Sequence, residues 1–336
     1  MAGDPYPLKL MPQSQATFLA ALLESLYIHN LMNSRTFRFI VAAAVLFALA
    51  CSSRLAHADE VLRWRAERLE SLRSGDSWLT LVGLTWLQEG DNSFGSDPSH
   101  ALVLTGSHVP PTVGRFFLAD SVVTFFAAPG LEVMSAGEQV DHLVLQNDSG
   151  GEPTILSLGT LTFYVIRRAG ALAVRVKDSA SEALARFEGL DYYPIDEKWR
   201  VRARFVEHPG GGRQLAIPTF QGPTQVMESP GSLKFELDGQ THSLEAFAEA
   251  GADRLFIIFG DRTNGRETYG GGRFIYVPRA DENGMVDLDF NRAYSPPCVF
   301  TPFATCPLPP PQNRLTASIE AGEKNYHSPS HNLGNM

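Results

Sequence analysis

A dense group of polar side chains lies between residues 261 and 273. An arginine guanidinium presents a planar fork of donors that matches a carboxylate or a phosphate. The neighbouring glycines 270–272 would let an anionic ligand approach backbone N–H groups. The alternative is a hairpin connection whose arginines pair with nearby carboxylates. The stretch therefore contributes five candidate ligand-binding residues, namely Arg262, Thr263, Arg266, Tyr269 and Arg273.

Asp289, Asn291 and Tyr294 form a second polar group just before a proline-rich segment. A carboxylate, an amide and a phenol together could orient a sugar or another polar small molecule, so Asn291 and Tyr294 join the candidate ligand-binding residues. Asp289 and Glu323 are the candidates for an acid–base pair. The alternative is that these groups cap the final strand and satisfy backbone groups of the loop.

Several familiar catalytic signatures are absent from the sequence. It contains no G-x-S-x-G or S-x-x-K motif for a serine nucleophile, and no glycine-rich nucleotide loop of the G-x-x-x-x-G-K or G-x-G-x-x-G type. Its histidines are scattered, Pro329 separates His327 from His331, and no C-x-x-C pair is present. We therefore expect no cofactor and no bound metal.

Prolines and cysteines are concentrated in the segment 295–311. Cys298 and Cys306 are two of the chain's 3 cysteines, and in an oxidising compartment such a pair predicts a disulfide. Two buried free thiols are the alternative. Because proline fixes φ and removes a backbone donor, we predict that this segment crosses the second half of the protein as a stiff wall held by the disulfide.

Residues 32–58 have the order of a secretory signal peptide. Arg35 and Arg38 precede the apolar run 39–50, and small residues follow. The stretch before this leader, residues 1–31, is interpreted as a misannotated extension. A genuine N-terminal anchor helix is the alternative.

Two processing routes stay open for this leader. One is cleavage after the A-x-A motif at residues 56–58, and the other is lipoprotein processing with a lipid anchor on Cys51. Either route predicts a secreted or periplasmic protein whose mature chain has no transmembrane span. The net charge of −9 argues against a nucleic-acid partner and an anionic membrane surface, so we expect a small-molecule or envelope ligand of unknown identity.

The elements that must position these groups are mostly short strands. Residues 59–73 carry apolar residues with helical periodicity and are followed by Gly75, which predicts an amphipathic helix. Beyond it, β-branched and aromatic runs recur at about 8–12-residue spacing, which is typical of a β-sandwich or barrel.

We therefore predict a mainly β protein in three parts. An N-terminal helix and β-sandwich occupy residues 59–190. A second antiparallel β-unit with a Pro-rich C-terminal segment occupies residues 191–326, and a disordered tail occupies residues 327–336.

Two resemblances to known families accompany this interpretation. The runs SFGSDPSHALVL, RFFLADSVVTFFA and SLGTLTFYVIRR, within residues 93–178, resemble the strand rhythm of forkhead-associated sandwiches. That resemblance implies an FHA-like sandwich fold. Ser96 stands where that family has its phosphothreonine-binding arginine, which argues against phosphopeptide binding.

The second resemblance is carried by longer motifs. YPIDEKWR, FGDRTNGRETYGGGRF, LDFNRAYSPPCVFTPFATCPLPPPQNRL and IEAGEK are similar to the bacterial DUF1684 family of uncharacterised proteins. The likeness extends over roughly residues 60–326. It implies a family but no chemistry, because the family is itself of unknown function.

The function that these observations favour is a non-catalytic binding module of the bacterial cell envelope for an anionic or sugar-like ligand. Its pocket is expected between the Arg262–Arg273 cluster and the proline wall. Two alternatives stay open, namely an envelope hydrolase that uses the Asp289 and Glu323 carboxylates, and a purely structural envelope protein.

Overall fold

The computed structural model describes residues 35–106, 108–248 and 251–326, with side chains described from residue 54 onward. The predictions for residues 1–31, for the side chain of Cys51 and for the tail 327–336 lie outside this part of the chain. The chain divides into two compact units, Met1–Glu60 and Val61–Met336. The β-strands of the described residues all belong to the second unit.

A long helix, α1 (Arg35–Arg73), precedes the sheets. It ends where the periodicity of residues 59–73 predicts, with Arg73 as the basic residue of its last turn, where a positive charge is favourable for the helix dipole. It begins well upstream of the predicted helix, within the predicted leader. Of the helices in the described residues, none combines the length and apolar character needed to cross a membrane.

The first group of strands forms two sheets that share one core. One sheet has the order β1-β11-β10-β9-β6-β7 and the other β3-β2-β4-β5-β8. Their bounds are β1 Leu81–Trp86, β2 Gly90–Gly95, β3 Leu102–Val103, β4 Gly114–Ala119, β5 Val122–Ala127, β6 Met134–Ser135, β7 Glu138–Gln139, β8 His142–Leu145, β9 Leu156–Leu158, β10 Leu161–Arg168 and β11 Ala171–Asp178.

Phenylalanines from both sheets fill the space between them. Phe163 of β10 lies 5.1 Å, centroid to centroid, from Phe94 of β2 and 5.4 Å from Phe125 of β5. All three side chains are fully buried, as expected when the inward-facing residues of two sheets interdigitate. The two sheets therefore pack face to face, and the predicted mainly β, antiparallel architecture is confirmed.

A short helix, α2 (Glu182–Ala185), leads into the second group of strands. A four-stranded sheet has the order β16-β15-β12-β19, and two hairpins pair β13 with β14 and β17 with β18. The bounds are β12 Arg200–Glu207, β13 Arg213–Ile217, β14 Gln225–Ser229, β15 Gly231–Leu237, β16 Gln240–Ala246, β17 Arg254–Phe259, β18 Arg273–Pro278 and β19 Met285–Asp289. A second core forms around Phe235, Phe259 and Phe290.

The proline-rich segment after β19 is irregular and crosslinked. Cys298 and Cys306 form the predicted disulfide, with their Cα atoms 6.2 Å apart, and both are buried. The Thr301 hydroxyl donates to the carbonyl of Leu81 at 2.8 Å, and the backbone N–H of Leu308 donates to the carbonyl of Pro218 at 2.9 Å. The segment is therefore attached to both groups of strands.

The predicted division into residues 59–190 and 191–326 stays a prediction. Each part has a core of its own, but two smaller cores draw on both. Leu81 packs in the same cluster as the disulfide, and Leu72 and Leu79 share a cluster with Phe300. The unit Val61–Met336 is therefore joined by packing as well as by the chain.

Candidate functional site

The polar stretch 261–273 is largely a closed, hydrogen-bonded turn. The Asp261 carboxylate accepts from the backbone N–H of Thr263 at 2.8 Å and from its hydroxyl at 2.6 Å. Thr263 and Thr268 also bond to each other through their hydroxyls, at 2.8 Å, and Thr263 is only 4% exposed. Thr263 therefore contributes to the turn itself, as the structural alternative for this stretch expects.

Arg273 is enclosed by the C-terminal segment. Its side chain is fully buried and forms an ion pair of 2.8 Å with the equally buried Asp261. It also donates to the carbonyls of Ile319, at 2.8 Å, and Ala321. A buried charge needs such partners, so Arg273 attaches residues 319–321 to β18.

The proline segment contacts the glycine run directly. Gly272 has a φ of +89°, and a Cβ added there would lie 2.4 Å from Cγ of Pro309. There is thus no room between Gly272 and Pro309 for a ligand. Arg262 and Arg266 differ from Arg273, because both are exposed and neither guanidinium has a hydrogen bond or ion pair with any described residue.

The second polar group caps the end of β19. The Asp289 carboxylate accepts from the backbone N–H of Asn291 at 3.0 Å and from its amide nitrogen at 2.8 Å. The Asn291 amide also donates to the carbonyl of Asp196 at 2.9 Å. Asn291 is fully buried, so both side chains hold the backbone at this corner.

Glu323 lies in the interior with both carboxylate oxygens engaged. Nε of Arg68 donates to one oxygen at 3.0 Å, and the backbone N–H of Ser295 donates to the other at 2.7 Å. Asp289 and Glu323 both influence Arg65. Burial lowers the pKa of Arg65, whereas the charges of Tyr192, Asp289 and Glu323 oppose that shift. Arg65 is thus a cation that both candidate carboxylates influence, whereas Arg68 forms a direct ion pair with Glu323.

Tyr294 connects this polar region to a cavity. The Arg68 guanidinium lies over the Tyr294 ring at 4.8 Å, which is within cation–π range. Backbone hydrogen bonds of 2.9 Å in both directions hold Tyr294 beside Phe274 of β18. Burial raises the pKa of the Tyr294 phenol, with a further rise from Tyr276, so the hydroxyl stays protonated at neutral pH and can donate a hydrogen bond.

The cavity beside Tyr294 has a volume of about 480 Å³, and we call it the aromatic pocket. Its aromatic lining consists of Trp64, Trp78, Phe256, Phe274, Tyr276 and Tyr294. Its polar lining consists of Glu67, Arg68 and Ser71 of α1, and Pro297, which is next to Cys298 of the disulfide, completes the lining. Pockets of this size and composition are typical of small-molecule sites.

Local geometry explains why these side chains converge. On α1, positions 64, 67, 68 and 71 follow the three-to-four-residue spacing that places side chains on one helix face. On the hairpin, Phe256 of β17 is paired directly with Tyr276 of β18, and their rings stack at 4.8 Å. Phe274 lies two residues from Tyr276 and therefore shares its face of the strand.

Of the sequence-predicted ligand-binding residues, Tyr294 alone lines the aromatic pocket. Tyr269 packs partly buried against the two smaller cores. The other pocket aromatics escaped the sequence analysis because each lies in a strand or helix whose apolar pattern predicts core packing. Tyr276 is the exposed aromatic of the strand 273–278, at 51%, but tertiary packing sets that exposure and the strand's sequence contains no signal of it.

Among the described residues, no group of three or more His, Cys, Asp or Glu side chains could hold a metal ion.

Comparison with known proteins identifies the family of the second group of strands. Residues 185–324 match the DUF1684 family model, a protein of unknown function, so the match covers less of the chain than the motif resemblance over residues 60–326. A solution NMR structure of an uncharacterized protein from Haloarcula marismortui is 33% identical, with 43% of this chain and 80% of that chain covered and a TM-score of 0.37. No curated protein matches the chain. Through residues 185–324, the chain belongs to the DUF1684 family of proteins of unknown function.

Proposed function

We propose that this protein is a non-catalytic binding module whose ligand is sugar-like and occupies the aromatic pocket. The observation that carries the proposal is the convergence of six aromatic side chains on one cavity of about 480 Å³ with a polar edge. Tyr276 is 51% exposed and Trp64 and Trp78 are half-buried, so parts of their surfaces can be reached by a ligand.

Aromatic lining suits a sugar for an electrostatic reason. An aromatic face carries negative charge, whereas the C–H groups on the face of a sugar ring carry weak positive charge. The sugar's hydroxyls would meet Glu67, Ser71 and the phenol of Tyr294, which supply acceptors and donors. Apolar faces with a few polar groups at the rim are the usual composition of such sites.

The charge of the pocket favours a sugar-like ligand over a simple anion. Arg68 is a cation of the lining, but its ion pair with the fully buried Glu323 compensates that charge. Glu67 adds an exposed negative charge to the same rim. An isolated anion would therefore find little net attraction in the aromatic pocket.

The hydrolase alternative has weaker support. Both oxygens of Glu323 already accept hydrogen bonds, and the Asp289 carboxylate accepts two from Asn291. An acid–base pair has to reach the bond that it cleaves, and these carboxylates are directed at their own loop and helix partners.

We also propose that the module acts outside the cytoplasm, either secreted or in the periplasm. The disulfide supports this location, because disulfides persist in oxidising compartments, and the leader-like residues 32–58 support it independently. Mass spectrometry of the exported protein should find an N-terminus at Asp59 or a lipidated Cys51. An intact chain that stays in the cytoplasm would contradict the location.

The binding proposal is tested with sugars against wild type and two variants. The probes are cellotetraose, maltotetraose, chitotetraose and methyl-esterified tetragalacturonate. At about 100 times its Kd, a bound sugar stabilises the fold by about 2.7 kcal/mol, which corresponds to a rise of about 4 °C or more in the thermal unfolding midpoint.

Tyr276→Ala should abolish that rise for the sugar that binds, since it removes one aromatic face of the pocket. Phe117→Ala is the matched control, because Phe117 is a partly exposed aromatic on β4, outside the pocket lining, and it should leave the rise unchanged. If none of the four sugars stabilises wild type, the binding proposal is wrong and the purely structural alternative gains support.

A further inference from the structure

A second cavity adjoins the aromatic pocket across a shared wall. It has a volume of about 670 Å³, and we call it the adjoining cavity. Phe256 and Tyr276 line both spaces. Because one stacked pair of rings borders both cavities, a ligand that occupies the aromatic pocket can extend past Tyr276 into the adjoining cavity.

Arg254 is the cation of the adjoining cavity. It is exposed, and its guanidinium lies 5.6 Å from the centroid of the Tyr276 ring. It precedes Phe256 by two positions on β17, so both side chains are on the same face of the hairpin. This places a cation beside the wall that the two cavities share.

The donors of Arg254 are available to a ligand. Its side chain makes no hydrogen bond or ion pair with any residue in the described part of the chain, in contrast to Arg68, which is paired with Glu323. A guanidinium held over a ring is already oriented, so less side-chain entropy is lost when it binds a carboxylate through two parallel hydrogen bonds.

We propose that the ligand is an acidic sugar chain, with one ring in the aromatic pocket and a carboxylate-bearing unit in the adjoining cavity facing Arg254. This inference rests on the proposed sugar-binding function and specifies the class of sugar. The aromatic pocket supplies shape and apolar contact, and Arg254 supplies selection for negative charge.

Glu228 places a negative charge in the adjoining cavity. It is exposed on β14 and also lines the adjoining cavity, so its carboxylate opposes the bound acid. Arg254 therefore has to outweigh a like charge in the same cavity, and removal of the Glu228 charge should strengthen binding of an acidic chain.

The test compares two probes with the same sugar backbone, tetragalacturonate and its fully methyl-esterified form, in which methyl esters replace the charged carboxylates, by isothermal titration calorimetry on the full chain. Wild type should bind the free acid about tenfold more tightly than the ester, as expected for a charge-assisted pair of about 1.4 kcal/mol. Increasing the salt from 50 to 500 mM should weaken binding of the acid and leave the ester unchanged.

Three variants isolate the contribution of Arg254. Arg254→Gln should remove the tenfold preference without altering the affinity for the ester. Glu228→Gln should increase the preference. Arg204→Gln is the matched control, since Arg204 of β12 is also exposed and without a side-chain partner among the described residues but lies outside the adjoining cavity's lining, and it should change nothing.

The outcomes separate this inference from the proposed function. Equal affinities of wild type for the acid and the ester, or a preference that survives Arg254→Gln, would overturn the acidic-chain inference while sugar binding stands. Binding of neither form overturns this inference, and if the neutral tetrasaccharides fail as well, the proposed function falls with it.

Discussion

At the scale of single residues, Glu245 of β16 is held ionised in a buried position. Its side chain is 4% exposed, and its carboxylate accepts from Arg213 at 2.8 Å, lies 2.5 Å from Nε2 of His208 and accepts from the Ser229 hydroxyl. Burial alone would raise the pKa of Glu245, but these hydrogen bonds outweigh it and lower the pKa below its ordinary value. The charged form therefore stabilises the folded state.

Glu245→Gln should reduce the free energy of unfolding by about 2 kcal/mol at pH 7, as expected for the loss of hydrogen bonds to a charged group. Because the pKa is lower in the folded than in the unfolded chain, this stabilisation is complete above the unfolded pKa of about 4.3 and is lost as the pH falls through the folded pKa. Urea unfolding of wild type and variant at pH 7 and at pH 3 measures the free energy of unfolding at each pH.

The control for that measurement is Glu236→Gln on the exposed face of β15, which should change stability by less than about 0.5 kcal/mol. A wild-type advantage of the same size at pH 3 as at pH 7 would show that the Glu245 charge is not its source.

At the scale of elements, the irregular segment after β19 is held in its conformation by its disulfide and its prolines. Prolines begin two of the 3-10 helices that follow β19, Pro297–Val299 and Pro311–Asn313, where a missing N–H costs nothing. The disulfide joins Cys298, which is part of the first of these helices, to Cys306 and closes a short loop in the unfolded chain. One wall of the aromatic pocket is Pro297, so the crosslink also supports the candidate site.

Replacing Cys298 and Cys306 together by alanine should lower the free energy of unfolding by about 2–3 kcal/mol, because a short unfolded loop is no longer constrained. Urea unfolding with and without dithiothreitol provides the comparison. Reductant should lower the free energy of unfolding of wild type to nearly that of the double variant. It should leave the free energy of unfolding of the variant unchanged. Equal stability of the variant and oxidised wild type would show that the crosslink contributes nothing.

At the scale of the whole molecule, shared cores connect the two groups of strands. Leu81 of β1 packs with the disulfide cluster, and Leu72 of α1 packs with Phe300. The ion pair between Arg68 and the buried Glu323 joins α1 to the end of the C-terminal segment. Removal of either group of strands would expose apolar surface on the other group of strands.

We therefore expect residues 61–326 to unfold in one cooperative transition. Urea unfolding curves followed by tryptophan fluorescence and by far-UV circular dichroism should coincide, which is the usual criterion for two-state behaviour. Two separated transitions would instead support independent domains at residues 59–190 and 191–326.

The sequence by itself determined the features that depend on short-range chemistry. Helical periodicity and Gly75 located the end of α1 at Arg73, alternating strand patterns indicated a mainly β protein, and the cysteine pair indicated the disulfide. The motifs also indicated the family. Each of these depends on neighbouring residues or on a count, and such information is present in the chain before it folds.

Only the tertiary structure decided which polar residues are exposed and which aromatics meet. Arg262, Arg266 and Arg273 look alike in the sequence, yet Arg273 is buried against Asp261 and the other two reach solvent. The aromatic pocket combines α1 with β17 and β18, which lie far apart along the chain. These contacts form only when elements that are distant in the sequence pack together, and the spacing of residues within one element does not predict them.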